Sequence, residues 1–246
     1  MATFVLVGGA WIGAWAWKEA AARLRAEGHL VYPLSLTGLG ERVHLARPEV
    51  DLETHIADVV NLIESEDLTD VVLAGHSYAG IVVTGVADRI PERLAALVFV
   101  DSGPCAAGQA WVDLSPPEVR QALQRTVDEA GDGWRLPFPG VAALGEQASL
   151  AGLGPEERWR MEAKAAAQPW RTYTQPLRLH DRGEPSYRRA VVACDDMRSL
   201  IEAGIPELAA MRRPPWRYED LATGHWPMLS APADLAAVLA RLAEEP

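Results

Sequence analysis

Short continuous apolar runs alternate with longer stretches of helical spacing toward both ends of the chain. Residues 4–7, 30–32, 71–74, 97–100, 190–193 and 216–218 are the predicted strands. Between and after them, 14–27, 52–66, 80–89, 199–211 and 232–244 suit helices by apolar spacing or by propensity. Strands that are apolar throughout, with no polar alternation, belong to a parallel sheet covered on both faces. The pattern breaks between 104 and 187, where Pro, Gly, Trp and Arg become frequent and no strand periodicity is visible. Within it, Ser115-Pro-Pro-Glu118 and Gly154-Pro-Glu-Glu157 resemble helix starts. An excursion of about 80 residues is too long for an ordinary loop, so the expectation is a helical cap over one edge of the sheet. The expected organisation is a core from 1–103 and 188–246 with a cap at 104–187.

A length of 246 residues suits one α/β domain carrying such an insertion. The net charge of −11 disfavours sequence-independent binding to nucleic acid or to anionic lipid. Cys105 and Cys194 stand far apart with no metal-ligand spacing and are expected to be reduced and buried. The uncharged stretch 4–17 is too short to span a bilayer, lacks a basic flank and contains Gly8-Gly9, so it reads as strand, turn and helix start. No membrane partner is expected, and the cytoplasm is the default location.

The chemistry concentrates in three motifs. Predicted strand 71–74 runs into Gly75-His76-Ser77-Tyr78-Ala79-Gly80 and then into a helix. Small residues at 75, 79 and 80 let that turn tighten until the Ser77 hydroxyl is exposed beside helix amides, the arrangement of a nucleophile elbow. A serine needs a base, and His225 in Gly224-His-Trp-Pro-Met-Leu229 follows the last predicted strand. His29, His44, His55 and His180 lie in polar or strand-edge contexts and are expected at the surface or in structural roles. The orienting acid should precede the histidine and follow the penultimate strand, which selects Asp196 with Asp195 in reserve. Asp101 is a second possible orienter, although a strand-end capping role is the expectation for it. The third motif, Gly8-Gly-Ala10-Trp11-Ile-Gly13 after the first strand, would supply an oxyanion-binding amide at Ala10, with the other at Tyr78. A dinucleotide loop is disfavoured there, because Trp11 fills the turn and no acidic residue follows the second strand.

Together these motifs make the chain resemble an α/β-hydrolase, and most closely the small plant-type branch of methyl-ester esterases and hydroxynitrile lyases with their bacterial esterase relatives. The resemblance implies Ser77 as nucleophile, His225 as base, Asp196 as acid, and the Ala10 and Tyr78 amides as oxyanion donors. Two departures stand out. Gly8-Gly9 replaces the usual His-Gly, and Cys194-Asp-Asp196 is one residue shorter than the usual acid motif. The threonine and lysine of the lyases are replaced here by Gly9 and Trp226, which argues against cyanohydrin cleavage.

The function expected is cofactor-independent hydrolysis of a small to medium apolar carboxylic ester or lactone. Non-hydrolytic chemistry at the same site, or a receptor-like role, is the alternative. The partner is a small molecule, and a homodimer is compatible with the chain. Nine tryptophans against three phenylalanines add a hint about that molecule. Trp15, Trp17 and Trp216 are expected in the core, whereas Trp11 and Trp134 could line a pocket for a bulky ring-containing substrate.

Overall fold

The strands of the computed structural model, which describes residues 1–180, 183 and 185–244, are β1 (Thr3–Val7), β2 (Leu30–Leu34), β3 (Val71–His76), β4 (Leu94–Val100), β5 (Arg135–Leu136), β6 (Gln168–Pro169), β7 (Arg188–Ala193) and β8 (Trp216–Asp220). Six of them form one sheet in the order β2-β1-β3-β4-β7-β8, and every neighbouring pair in it is parallel. Helices α1 (Lys18–Ala26), α2 (Leu52–Ser65) and α3 (Ala79–Arg89) follow β1, β2 and β3. Between β4 and β7 lie α4 (Pro117–Ala130), α5 (Val141–Leu144), α6 (Pro155–Lys164) and α7 (Arg171–Thr174). Helices α8 (Asp195–Glu202) and α9 (Pro206–Ala209) follow β7, and α10 (Pro227–Ser230) and α11 (Pro232–Glu244) follow β8.

Alternation within each buried strand divides the interior into two cores. Phe4, Leu6, Val72, Ala74 and Val98 face the side covered by α1 and α11. Val5, Val7, Leu73, Leu97 and Phe99 face α2 and α3. Both faces of the central strands are therefore dry, which is why β3 and β4 carry no polar alternation. Helix α2 is set by Asp51, whose carboxylate accepts from the Thr54 amide in a reciprocal capping box.

The six core strands match the sequence expectation, and two local readings differ. The helix expected over 199–211 begins at Asp195 and is interrupted at Gly204, which has φ +80°, before Pro206 opens α9. The excursion also holds an antiparallel pair, β5 with β6, of two residues each. A pair so short has no periodicity to detect. Trp17 is fully buried, while Trp15 and Trp216 are half-buried with the cations of Lys164 and Arg189 over their rings. Both cysteines are free and buried, and burial pushes the Cys105 thiol up to about 12. Among the described residues, no helix is long and apolar enough to cross a membrane.

The strand order reverses direction between β1 and β3, and in such sheets ligands are met at the carboxyl ends of the strands at that point. Every sequence-predicted reactive residue comes from a segment leaving that side.

Candidate active site

Chain geometry at the end of β3 is forced by small residues. A methyl at Gly75 would lie 2.7 Å from a Val83 methyl, so glycine is what lets α3 fold back onto the strand. Ser77 itself takes φ +51°, a left-handed conformation that costs a non-glycine residue of order 1–3 kcal/mol. It is held there by its neighbours. The Ser77 amide donates to Val100 O at 3.2 Å, and its carbonyl accepts from the Gly80 amide and from Ser102 Oγ at 2.8 and 2.7 Å.

His225 arrives on the loop after β8, where its amide donates to Ser149 O at 2.8 Å. Its Nε2 lies 2.9 Å from Ser77 Oγ. Its Nδ1 meets two carboxylates, Asp101 Oδ2 at 2.6 Å and Asp196 Oδ2 at 3.2 Å. Carboxylates accept only, so the Nδ1 proton points at them and Nε2 is left as the acceptor for the serine hydroxyl. His76, fully buried beneath, donates from Nε2 to the His225 carbonyl at 2.7 Å. Burial, and then the neighbouring His225 ring, pull the His76 pKa well below its usual value, so it stays neutral.

The two acids are held differently. Asp101 follows β4 at φ +45°, is buried, and its Oδ1 accepts from the Cys194 and Met197 amides at 2.9 and 3.0 Å. It thus caps the start of α8 with one oxygen and meets His225 with the other. Asp196 is half-buried, and its Oδ1 accepts from the Ser149 amide at 2.9 Å. Burial raises its pKa above the usual carboxylate value. Asp195 turns elsewhere, accepting from Ser149 Oγ at 2.8 Å and pairing with Arg198. Ligand atoms of Asp101, Asp196 and His225 lie within 4.8 Å of one another, a spread that the carboxylate–imidazole hydrogen bonds themselves produce.

The bend after β1 closes on this group from the other side. A methyl at Gly9 would sit 2.8 Å from His76 Nδ1 and 3.0 Å from Ser77 Cβ, which shows how near the bend comes to the elbow. Among the described residues, neither the Ala10 nor the Tyr78 amide donates a hydrogen bond. Tyr78 directly follows the serine, and Ala10 directly follows the glycine that approaches it.

A family comparison matches this architecture: the model of the alpha/beta hydrolase family covers residues 4–238. The chain belongs to that family. It is 35% identical to the carbendazim hydrolyzing esterase of a Nocardioides species, over 98% of this chain and 100% of that one. With a putative chloroplastic methylesterase of Arabidopsis thaliana, methylesterase 14, identity is 25% over 99% of this chain and 72% of the relative. Among solved structures, an extracellular alpha/beta-hydrolase from a Paenibacillus species superposes with a TM-score of 0.84 at 22% identity, covering 100% of both chains. Tomato methylketone synthase I gives 0.78 at 19% identity, over 98% of this chain and 97% of that one. Those two likenesses speak for the fold.

In this α/β-hydrolase the side chain that follows the serine, Tyr78, sits among aromatic rings. Tyr173 of α7 stacks on Tyr78 with ring centroids 5.3 Å apart, and Trp111 meets Tyr78 edge-on at 5.8 Å. Trp11 contacts Phe138 at 6.1 Å and Tyr173 at 6.5 Å. Of the two tryptophans expected to line a pocket, Trp11 joins this group. Trp134 instead carries the Arg135 guanidinium 5.3 Å over its ring.

His55 lies fully buried in the hydrolase, contrary to a polar or strand-edge setting. Its Nε2 donates to Thr37 O and its Nδ1 accepts from the Tyr78 hydroxyl, both at 2.9 Å. Burial lowers its pKa to about 4, so it stays neutral. The signal for this was present, because His55 shares the apolar stripe of α2 with Leu52, Ile56, Val59 and Ile63. Asp101, Gln168 and Tyr173 gave no comparable signal.

Proposed function

We propose that this α/β-hydrolase is a serine esterase acting on small to medium, ring-containing carboxylic esters. The observation that carries the reading is the 2.9 Å contact of Ser77 Oγ with His225 Nε2 while Nδ1 faces buried carboxylate. Ser77 Oγ attacks the ester carbonyl carbon as its proton passes to His225 Nε2. The carbonyl oxygen, now an anion, is met by the Ala10 and Tyr78 amides. The imidazolium, steadied by Asp101 and Asp196, returns the proton to the departing alcohol oxygen. Water, deprotonated by the same nitrogen, then attacks the acyl-Ser77 carbonyl and frees the acid.

The cluster of Trp11, Trp111, Phe138 and Tyr173 rings beside Tyr78 supports a substrate with a flat ring, and the named activities of the carbendazim esterase and the methylesterases support ester cleavage. The excursion between β4 and β7 acts as the cap and carries most of this cluster.

Labelling tests the reading directly. A fluorophosphonate should add one phosphonyl group per chain, on the peptide containing Ser77, with parallel loss of aryl-ester turnover. Modification elsewhere, or turnover that survives full labelling of Ser77, would overturn it. The bend makes a second test. Gly9→Ala must push either His76 or Ser77 aside, so kcat should fall by about 10²-fold, the scale of a displaced oxyanion donor, in a steady-state assay.

A further inference from the structure

Trp11 occupies φ +62°, a left-handed conformation uncommon for a bulky residue, one position after Ala10. Its backbone and side-chain polar groups are all bonded, and every partner comes from the excursion between β4 and β7. The Trp11 amide donates to Gln168 Oε1 at 3.2 Å, its carbonyl accepts from the Ala166 amide at 2.9 Å, and its indole Nε1 donates to Leu136 O at 3.2 Å. Leu136 and Gln168 are register partners in the β5–β6 pair. That short ladder therefore grips the bend as a bracket.

Gln168 is the one side chain in the bracket, and it is fully buried. Its orientation is dictated by its partners: Nε2 donates to Thr172 Oγ1 at 2.8 Å, and that hydroxyl spends its own hydrogen on Pro169 O at 2.6 Å. Oε1 is thereby left facing the Trp11 amide. We infer that Gln168 is a positioning residue for the oxyanion hole, holding Trp11 in its left-handed state so that the preceding Ala10 amide stays directed at the reacting carbonyl. Without an acceptor at this point, the Trp11 N–H is buried unpaired, and the Ala10–Trp11 peptide gains by turning away. The oxyanion hole is then complete only while the excursion is docked on the bend. This inference rests on the serine-esterase reading above.

The test compares Gln168→Met, which keeps length and removes the acceptor, with Gln168→Glu, which restores an acceptor to the Trp11 amide. Gln168→Met should lose about 10²-fold in kcat, with KM nearly unchanged. It should lose affinity for an arylboronic acid, whose adduct with Ser77 presents an oxyanion, by a similar factor. Gln168→Glu should recover most of both. A Gln168→Met enzyme with parental kcat and boronate affinity, or one changed only in melting temperature or KM, would overturn the inference. If that variant does not fold, Thr172→Val, which frees the Gln168 amide to rotate, is read in its place. It should show a kcat loss in the same direction, and an unchanged kcat would count against the proposal. The two readings fail separately. Activity in Ser77→Ala defeats the esterase mechanism, whereas an inactive Ser77→Ala beside an unimpaired Gln168→Met defeats only the role of Gln168.

Discussion

Ser77→Ala is expected to fold as the parent does and to lose at least about 10⁴-fold in turnover of an aryl ester. The side chain is half-buried, and among the described residues its hydroxyl bonds only His225, so no buried donor or acceptor of the described scaffold is stripped of its partner. The backbone bonds of residue 77 to Val100, Gly80 and Ser102 do not depend on the hydroxyl. Steady-state kinetics with a thermal melt separates the two effects. Substantial turnover in a folded Ser77→Ala protein would remove the acyl-enzyme from the mechanism.

The next largest effect concerns the acids. Asp101→Asn should lower kcat by about 10³–10⁴-fold, because the tautomer of His225 is set by what faces Nδ1. An asparagine can keep one oxygen on the Cys194 and Met197 amides, which leaves its NH2 pointing at Nδ1. Against the longer contact of Asp196, that NH2 draws the imidazole to present a lone pair there and carry its proton on Nε2, where the serine proton has to go. Asp196→Asn should cost less than about tenfold, since its contact with Nδ1 is longer and its other oxygen is engaged by Ser149. Its pKa is raised in the folded state, so ionising it opposes folding as the pH rises through its titration. Removing that charge should leave the melting temperature at pH 7 equal or higher. Parallel kinetics and melts of the two variants decide the matter. If Asp196→Asn were the more damaging, the principal acid would be the one that the family pattern selects after the penultimate strand.

The proposed nucleophile and base are local signals. Gly75, Ser77, Ala79 and Gly80 are adjacent in sequence, and the turn they form needs no distant partner to be recognised. His225 is found by its place between a last strand and a final helix. The buried His55 could also have been found, since it falls on the apolar stripe of α2.

Asp101 could not be ranked in the same way. Its importance depends on β4 and β7 lying side by side, so that the residue leaving one strand caps the helix leaving the other and still reaches His225. The same is true of Gln168, which lies far along the chain from Trp11 and sits in a strand of two residues.

Apolar runs and small-residue turns therefore announced the parallel sheet and its two covers, and singled out the candidate serine and histidine, because backbone sterics and burial act over a few residues. The meeting of two carboxylates at His225, the grip of Gln168 on the bend after β1 and the rings packed on Tyr78 come from tertiary packing. They depend on distances of about 3 Å between segments whose meeting is determined by strand order and by how the excursion docks, and neither leaves a periodic trace in the chain.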